Sequence, residues 1–564
     1  MLHRLAAAVL LIISAVSLNA CHEKSGPDNS VDSANGSSSK AIFADASTEI
    51  DLDFIDQLRL TGTYALYEIT GTGMAVFDAN NDQRLDFLCL QNGSLAEGKP
   101  DRLFLQGENG KLKDVSADSE FASTFSTGCA VGDVDNDGDV DIYVGTIGMD
   151  HIYLNDGNGK FRDASAEMGL VNNGFTTSLA FLDFDLDGYL DIFVFRCSVL
   201  QEPAPKCLLV SDVQEFCHPR QYQKINSQLW RNIGGKTFQN VSQSSGIAAK
   251  KSYGLGVIVD DFNNDGWPDL YVANDSVPNF LWVNNKKGGF KEVGLMSGTA
   301  VNSQGASEGS MGLAVGDIDG NGFPDIFTTN VRSESNTLYF GNKGLDFSDG
   351  TAVAGLAASS LPYTGWGTAF FDPDNDSDFD LILVNGSVAR NTPPFPGSKK
   401  GSVWEHYSEG NLFFENIGNG QLSLNPDMAK APCSWVANHR SMVAVDFDGD
   451  GGEDVFIDAM SDETRFFRNV AEDRGHWIKV EVYDDEYNRY AMGAVVRIYS
   501  GDLMLRGIVN SATSYLSSCL APLKFGLGKR MQVDRVEVTF PGGEVQTFAG
   551  GKHGETLVLR RQRK

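Results

Sequence analysis

Seven stretches of this chain place oxygen-bearing side chains at alternating positions: DANNDQRLD, DVDNDGDVD, DFDLDGYLD, DFNNDGWPD, DIDGNGFPD, DPDNDSDFD and DFDGDGGED. Positions 1, 3, 5 and 9 are Asp78, Asn80, Asp82 and Asp86 in the first, and Asp133, Asp135, Asp137 and Asp141 in the second. The third has Asp183, Asp185, Asp187 and Asp191; the fourth Asp261, Asn263, Asp265 and Asp269; the fifth Asp317, Asp319, Asn321 and Asp325. Asp372, Asp374, Asp376 and Asp380 make the sixth, and Asp446, Asp448, Asp450 and Asp454 the seventh. A hard cation such as Ca²⁺ takes about six to eight oxygens, and a tight loop with carboxylates at alternating positions points them at one centre. The chemistry these residues suit is calcium binding, with up to seven ions. Position 7 (Arg84, Asp139, Tyr189, Trp267, Phe323, Asp378, Gly452) varies too freely to act by side chain and is assigned a backbone carbonyl. The loops with Asn80, Asn263 and Asn321 each lose one negative charge and are expected to bind more weakly.

An EF-hand loop opens in the same way but needs a bidentate Glu at its twelfth position and a helix on each side. Here that position holds Cys89, Val144, Val194, Val272, Thr328, Leu383 and Ile457, which excludes it. The flanks are strand-like instead, with short apolar runs before (CAVGD, LAFLD, LAVGD) and β-branched or aromatic runs after (DIYVG, DIFVF, DLYVA). Each acidic ladder is therefore the turn of a β-hairpin. A second signal follows most hairpins: an apolar segment, an Asn/Gly-rich turn, then an aromatic ahead of a polar stretch, as in HIYLNDGNGKFRDAS from His151. Asn and Gly tolerate the positive φ of tight turns. The repeat reads as four antiparallel strands, and ladder starts spaced by 55, 50, 78, 56, 55 and 74 residues match the size of a β-propeller blade.

The ladders and their NxGxGxFxD companions resemble the FG-GAP/VCBS repeats of integrin-type propellers, over roughly residues 43–470. The first copy departs, with Gln83 where Gly usually sits. Ahead of it, AIFADAS from Ala41 matches the fourth-strand motif KFRDAS, while the last repeat ends after TRFFRNV; the N-terminal strand is expected to complete the seventh blade and close the ring, removing exposed strand edges. From about His476 the texture changes, and Gly493 with Ala494, Ser514 to Ser517, Phe525 to Gly528, and Pro541 with Gly543 resemble the ASPIC/UnbV domain of the acidic cartilage protein family. Phe540 stands where a Trp commonly precedes that proline, and no EGF-like cysteine pattern follows. The expected fold is all-β: a seven-bladed propeller over residues 41–475 with calcium-binding hairpins, and a small β-domain over 476–564 packed beside or under the ring.

The chain opens MLHRLAAAVLLIISAVSLNAC, an apolar run too short to span a bilayer comfortably and of signal-peptide form. Leu18, Asn19, Ala20 and Cys21 resemble a bacterial lipobox, which makes residues 1–20 a cleaved leader and Cys21 the lipidated first residue; an ordinary secretory signal is the alternative. His22 favours the outer membrane over inner-membrane retention, and residues 21–40 form a flexible tether rich in Ser, Gly, Asn and Asp. A net charge of −30 argues against nucleic acid as a partner. Much of that charge is ligand inventory, since the ladder positions hold 25 carboxylates and seven Ca²⁺ would leave −16.

Cys197, Cys207, Cys217 and His218 lie in the long insertion after the third ladder, where an exported compartment favours one disulfide, with the third cysteine pairing outside the insertion, over a metal site. The absence of CxxCH argues against covalent haem. His439 with Arg440 and His406 with Glu405 are the compact acid/base candidates, and Tyr363, Trp366, Trp404 and Tyr407 are candidate sugar-stacking aromatics set against a core or rim role. The function expected is a calcium-stabilised binding or adhesion module of the cell envelope, presenting loops to an extracellular protein or polysaccharide. A polysaccharide-active, lyase-like enzyme and a structural envelope component are the alternatives.

Overall fold

The computed structural model describes residues 41–201, 203–208 and 213–563; the expected leader and Cys21 lie outside them. The repeats form seven four-stranded antiparallel blades. In the first, Met74–Phe77, Asp86–Cys89, Arg102–Gln106 and Leu112–Asp114 pair in that order. The innermost strands of the others are Ser126–Gly132, Asn173–Leu182, Gly254–Asp260, Leu313–Gly316, Gly365–Phe371 and His439–Val445. Because neighbouring blades cover both faces of each sheet, the two inner strands read as apolar runs rather than as an alternation. Phe77, Val131 and Ile142 fill the space between blades one and two, and Phe87, Phe456 and Phe466 that between blades seven and one. The ring closes as the sequence implies: Phe43–Asp45 is the outer strand of blade seven, with Phe43 opposite Asn469.

The C-terminal domain is two sheets. One holds Leu523–Gly528, His476–Tyr483 and Thr556–Arg560; the other holds Leu503–Ile508, Val495–Ser500, Arg535–Thr539 and Val545–Ala549. Ile478, Ile498, Phe525 and Val536 lie between them. The domain does more than pack under the ring. A hairpin of Ala512–Thr513 and Ser517–Leu520 enters the axial channel, where its second strand runs parallel to Met74–Phe77 with Ala75 opposite Ser518. The innermost strand of a blade has an unpaired edge along the channel, and the hairpin supplies partners to it. Cys129 N donates to Leu516 O at 3.1 Å, Leu313 N to Ser514 O at 3.3 Å, and Thr368 N to Ser514 Oγ at 2.9 Å. Approach is this close only because Gly73 has no side chain; a Cβ there would lie 1.9 Å from Leu516 O. At the tip, Tyr515 is fully buried, donates to Thr70 O at 3.1 Å, and packs on Trp366 with ring centroids 4.9 Å apart.

Insertions close the other mouth. The insertion after the third ladder carries a Cys207–Cys217 disulfide, while Cys197, expected to pair outside the insertion, is instead buried with a free thiol. Phe216 from this insertion stacks on Trp404 and meets Tyr407 edge-on, while the Tyr407 hydroxyl donates to Glu215 at 2.5 Å. Tyr222 OH accepts from Leu66 N at 3.1 Å, joining the cap to the segment before the first blade. Trp404 and Tyr407 are thus buried inside this cap and Trp366 on the blade-six inner strand beside Tyr515, and the sugar-stacking role considered for them is corrected to packing.

The buried ring of Tyr515 joins the hairpin to the blade-six inner strand and to the segment before the first blade, so Tyr515→Ala should destabilise the chain by about 3–5 kcal/mol. Thermal denaturation measures it; a melting temperature unchanged from the parent contradicts this placement.

Candidate functional site

Each acidic ladder is the turn from the innermost to the second strand, and its backbone is the same in all seven copies. Position 4 (Asn81, Asn136, Leu186, Asn264, Gly320, Asn375, Gly449) and position 6 (Gln83, Gly138, Gly188, Gly266, Gly322, Ser377, Gly451) are all left-handed. Two left-handed residues bracketing position 5 turn the chain inward, which is why Asn and Gly dominate there. Gln83 keeps the conformation, with φ 65°, at a cost of roughly 1–2 kcal/mol.

That backbone is held by the acidic side chains. The position-1 carboxylate accepts from the position-6 amide in every ladder, from Gln83 N to Asp78 Oδ2 in the first to Gly451 N to Asp446 Oδ2 in the last. The position-5 side chain accepts from the position-7 amide, again in all seven. Position 9 opens the second strand, and its Oδ1 accepts from the amide near the end of the third: Gln106, Asn155, Asn232, Asn284, Gly341, Asn416 and Asn469.

Those third-strand amides are functional residues the sequence did not single out. Asn155 Nδ2 donates to Ala79 O at 2.9 Å, Asn232 Nδ2 to Val134 O at 2.7 Å and Asn284 Nδ2 to Phe184 O at 2.8 Å. Asn416, Asn469 and Gln106 reach Ile318 O, Pro373 O and Phe447 O in the same way. Each acceptor is position 2 of the preceding ladder, so ladder is tied to ladder around the ring, except at Gly341, which has no amide to give. The signal was the Asn in YLNDG, WRNIG, FENIG and FRNV. It looks like turn chemistry, but it spans two blades.

Five ladders bring three carboxylate oxygens within 4.8 Å of one another: Asp133/Asp135/Asp141, Asp183/Asp185/Asp191, Asp317/Asp319/Asp325, Asp372/Asp374/Asp376 and Asp446/Asp448/Asp454. Among the described residues the first and fourth ladders form no such group. In the first, Asn80 Nδ2 donates to Asp82 Oδ2 at 2.9 Å and Arg84 pairs with the same carboxylate; in the fourth, Lys286 reaches Asp265 at 3.1 Å. In the ladders, buried carboxylate oxygens without a partner remain at Asp133 Oδ1, Asp185 Oδ1, Asp269 Oδ2, Asp378 Oδ1, Asp380 Oδ2 and Asp446 Oδ1. A buried charged oxygen left unpaired is costly, so these atoms fit a cation at the centre of the turn.

Electrostatics point the same way. Burial, then repulsion from Asp135 and Asp137, pushes the Asp133 carboxyl up to about 7. Burial does the same to Asp183, to about 7, and to Asp325, to about 8, and it holds Asp141, Asp191 and Asp454 well above the usual carboxylate range.

The other candidates are elsewhere. His439 and Arg440 are fully buried at the start of the blade-seven inner strand. His439 Nδ1 shares a hydrogen bond with Asn385 O at 3.1 Å, while Arg440 donates to Ile69 O at 2.7 Å and lies over Trp366 at 4.1 Å. Burial takes the His439 imidazole down to about 3, so the ring is uncharged at neutral pH. His406 Nδ1 bonds Asn391 O at 2.8 Å, and Glu405 accepts from Gly401 N at 2.8 Å, both within one insertion.

The raised carboxyls fix the sign of a pH effect. Their folded values lie above the ordinary 3.8, so in the ion-free protein they contribute stability at low pH that is lost as pH rises through about 7 to 8. With a chelator present, the melting temperature should fall between about pH 5 and pH 8, while metal affinity rises over the same interval because the ion displaces protons. A chelated protein whose melting temperature rises with pH contradicts this.

A protein-family model for an FG-GAP-like repeat matches residues 78–144, 133–194 and 261–328, and one for ASPIC and UnbV matches 484–564. Cartilage acidic protein 1 of Xenopus tropicalis is 24% identical over 503 residues, covering 84% of this chain and 71% of that protein. The Homo sapiens protein of the same name is 24% identical over 494 residues, covering 77% and 71%. Among solved structures, YCF48 bound to D1 peptide aligns at 9% identity with a TM-score of 0.38, covering 78% of this chain and all of that one. An Agrocybe aegerita lectin described as recognising terminal N-acetylglucosamine aligns at 15% and 0.37, covering 68% and 88%. Repeats, ladders and C-terminal domain agree: the chain is an FG-GAP-repeat propeller with a C-terminal ASPIC/UnbV domain, homologous to cartilage acidic protein 1.

Proposed function

We propose that the protein is an exported binding module, held rigid by calcium, that presents the outer surface of its cap and rim to an extracellular protein or polysaccharide. The observation that carries the calcium assignment is the set of unpaired buried carboxylate oxygens, found in ladders two, three, four, six and seven. In ladder two, Asp133, Asp135 and Asp141 would hold the ion together with Asp137. Bound calcium supplies the positive charge that lets these groups ionise while buried, and extracellular calcium is abundant enough to fill sites of modest affinity. At tenfold saturation each site adds about 1.4 kcal/mol, so seven independent sites give at most about 10 kcal/mol.

Binding is favoured over catalysis because the acid/base candidates His439 and Arg440 lie sealed in the core. With hairpin and cap filling the axis, variable loops around the rim are the surfaces left for contact. Among the described residues no helix is long and apolar enough to cross a membrane. A lipid at Cys21 would attach the module to the bacterial outer membrane through the 21–40 tether. A purely structural role in an envelope complex remains the second reading.

Asp135→Ala should lower the calcium stoichiometry by one and the stability in calcium by about 1.4 kcal/mol, and it should weaken binding to a ligand found by glycan array or pull-down only through lost blade order. Titration calorimetry and thermal melts check both; unchanged stoichiometry and melting would remove the calcium assignment.

A further inference from the structure

The ladder face is not open. The C-terminal domain lies on it, and several of its hydrogen bonds fall on the left-handed positions of the acidic turns. At position 6, Tyr490 OH donates to Gly138 O at 3.0 Å, Asn488 N to Gly188 O at 2.9 Å, and Gly542 N to Gly266 O at 2.8 Å. At position 4, Arg497 Nη2 donates to Asn264 Oδ1 at 2.7 Å and Gly528 N to Asn375 O at 2.8 Å. Ladder seven is met by a charge instead, Lys479 Nζ lying 2.6 Å from Asp446 Oδ2. Five ladders are engaged, and in four of them by groups whose direction depends on the turn being folded.

Fit is tight as well. A Cβ on Gly266 would lie 2.3 Å from Gly543 N, and one on Gly188 would lie 2.6 Å from the Tyr487 side chain. The position-6 glycines therefore serve two ends: they allow the left-handed turn, and they let the C-terminal domain approach its backbone. The same domain sends the hairpin of residues 512–520 down the channel, where it pairs with inner strands.

We propose that the acidic turns are the docking surface for the chain's own C-terminal domain, and that metal loading and seating of that domain are linked. This rests on the calcium assignment above. An ion that fixes a turn aims its position-4 and position-6 groups at the domain. By reciprocity, a seated domain raises calcium affinity by the same factor. Unloading the ladders loosens the domain and the hairpin it carries in the channel.

The test uses the full chain with a protease site inserted between Glu472 and Asp473, cleaved after folding. In calcium the C-terminal fragment should co-elute with the ring, and in EGTA its affinity should fall at least tenfold. Because a threaded hairpin can delay release, a second measurement uses the uncut chain: Tyr490→Phe keeps the ring and every acidic residue but removes the bond to Gly138 O, and should weaken calcium binding about fivefold at one site. Fragment retention that is equal in calcium and EGTA, together with unchanged calcium affinity in Tyr490→Phe, overturns the linkage while leaving the calcium assignment standing. A protein that binds no calcium at all overturns both.

Discussion

Position-1 aspartates in this ring are held between two opposing demands. Their buried carboxylates accept the position-6 amide that folds the turn, a bond that favours the ionised form, yet burial and neighbouring carboxylates disfavour that form. The turn fixes where the second strand starts, and position 9 of the same ladder anchors the third strand. Asparagine side chains then carry that order to the preceding ladder. What resolves the conflict at the head of each turn thus decides how well the blades hold one another: a proton can do so, and a divalent cation does so in the function proposed above.

The ring is also filled along its axis. Propeller inner strands leave polar backbone edges facing a channel, and an unpaired buried amide is expensive. Here the hairpin around Tyr515 pairs them from one side while Phe216, Trp404 and Tyr407 seal the other. Charge is treated similarly: Arg506 from the C-terminal domain and Asp260 from the blade-four inner strand are both almost fully buried and form an ion pair. C-terminal domain and propeller therefore share buried polar contacts, although a cavity of about 250 Å³ remains between the domain and the inner strands.

Much of this architecture was legible in residues. The ladders gave the period, the strand-like flanks gave the hairpins, and the likeness of AIFADAS to KFRDAS gave the closure, which Phe43 opposite Asn469 realises. What was illegible depends on distant partners. Ser514 to Ser517 stood out as a motif, but small polar residues carry no period that announces a channel as their environment. Asn155 and its equivalents looked like turn residues because their second partner lies in another blade. Trp404 and Tyr407 looked like loop aromatics because the insertion that covers them is almost two hundred residues earlier in the chain, as the Tyr407–Glu215 pair shows.

Differential scanning calorimetry of the soluble chain, in calcium and then in EGTA, with metal analysis of the purified protein, tests the central claim most directly. A large calcium-dependent rise in melting temperature with about seven ions per chain is the predicted result. Identical melting in both conditions, with no bound calcium, would mean that the ladders are acidic turns stabilised by their own hydrogen bonds, and would contradict it.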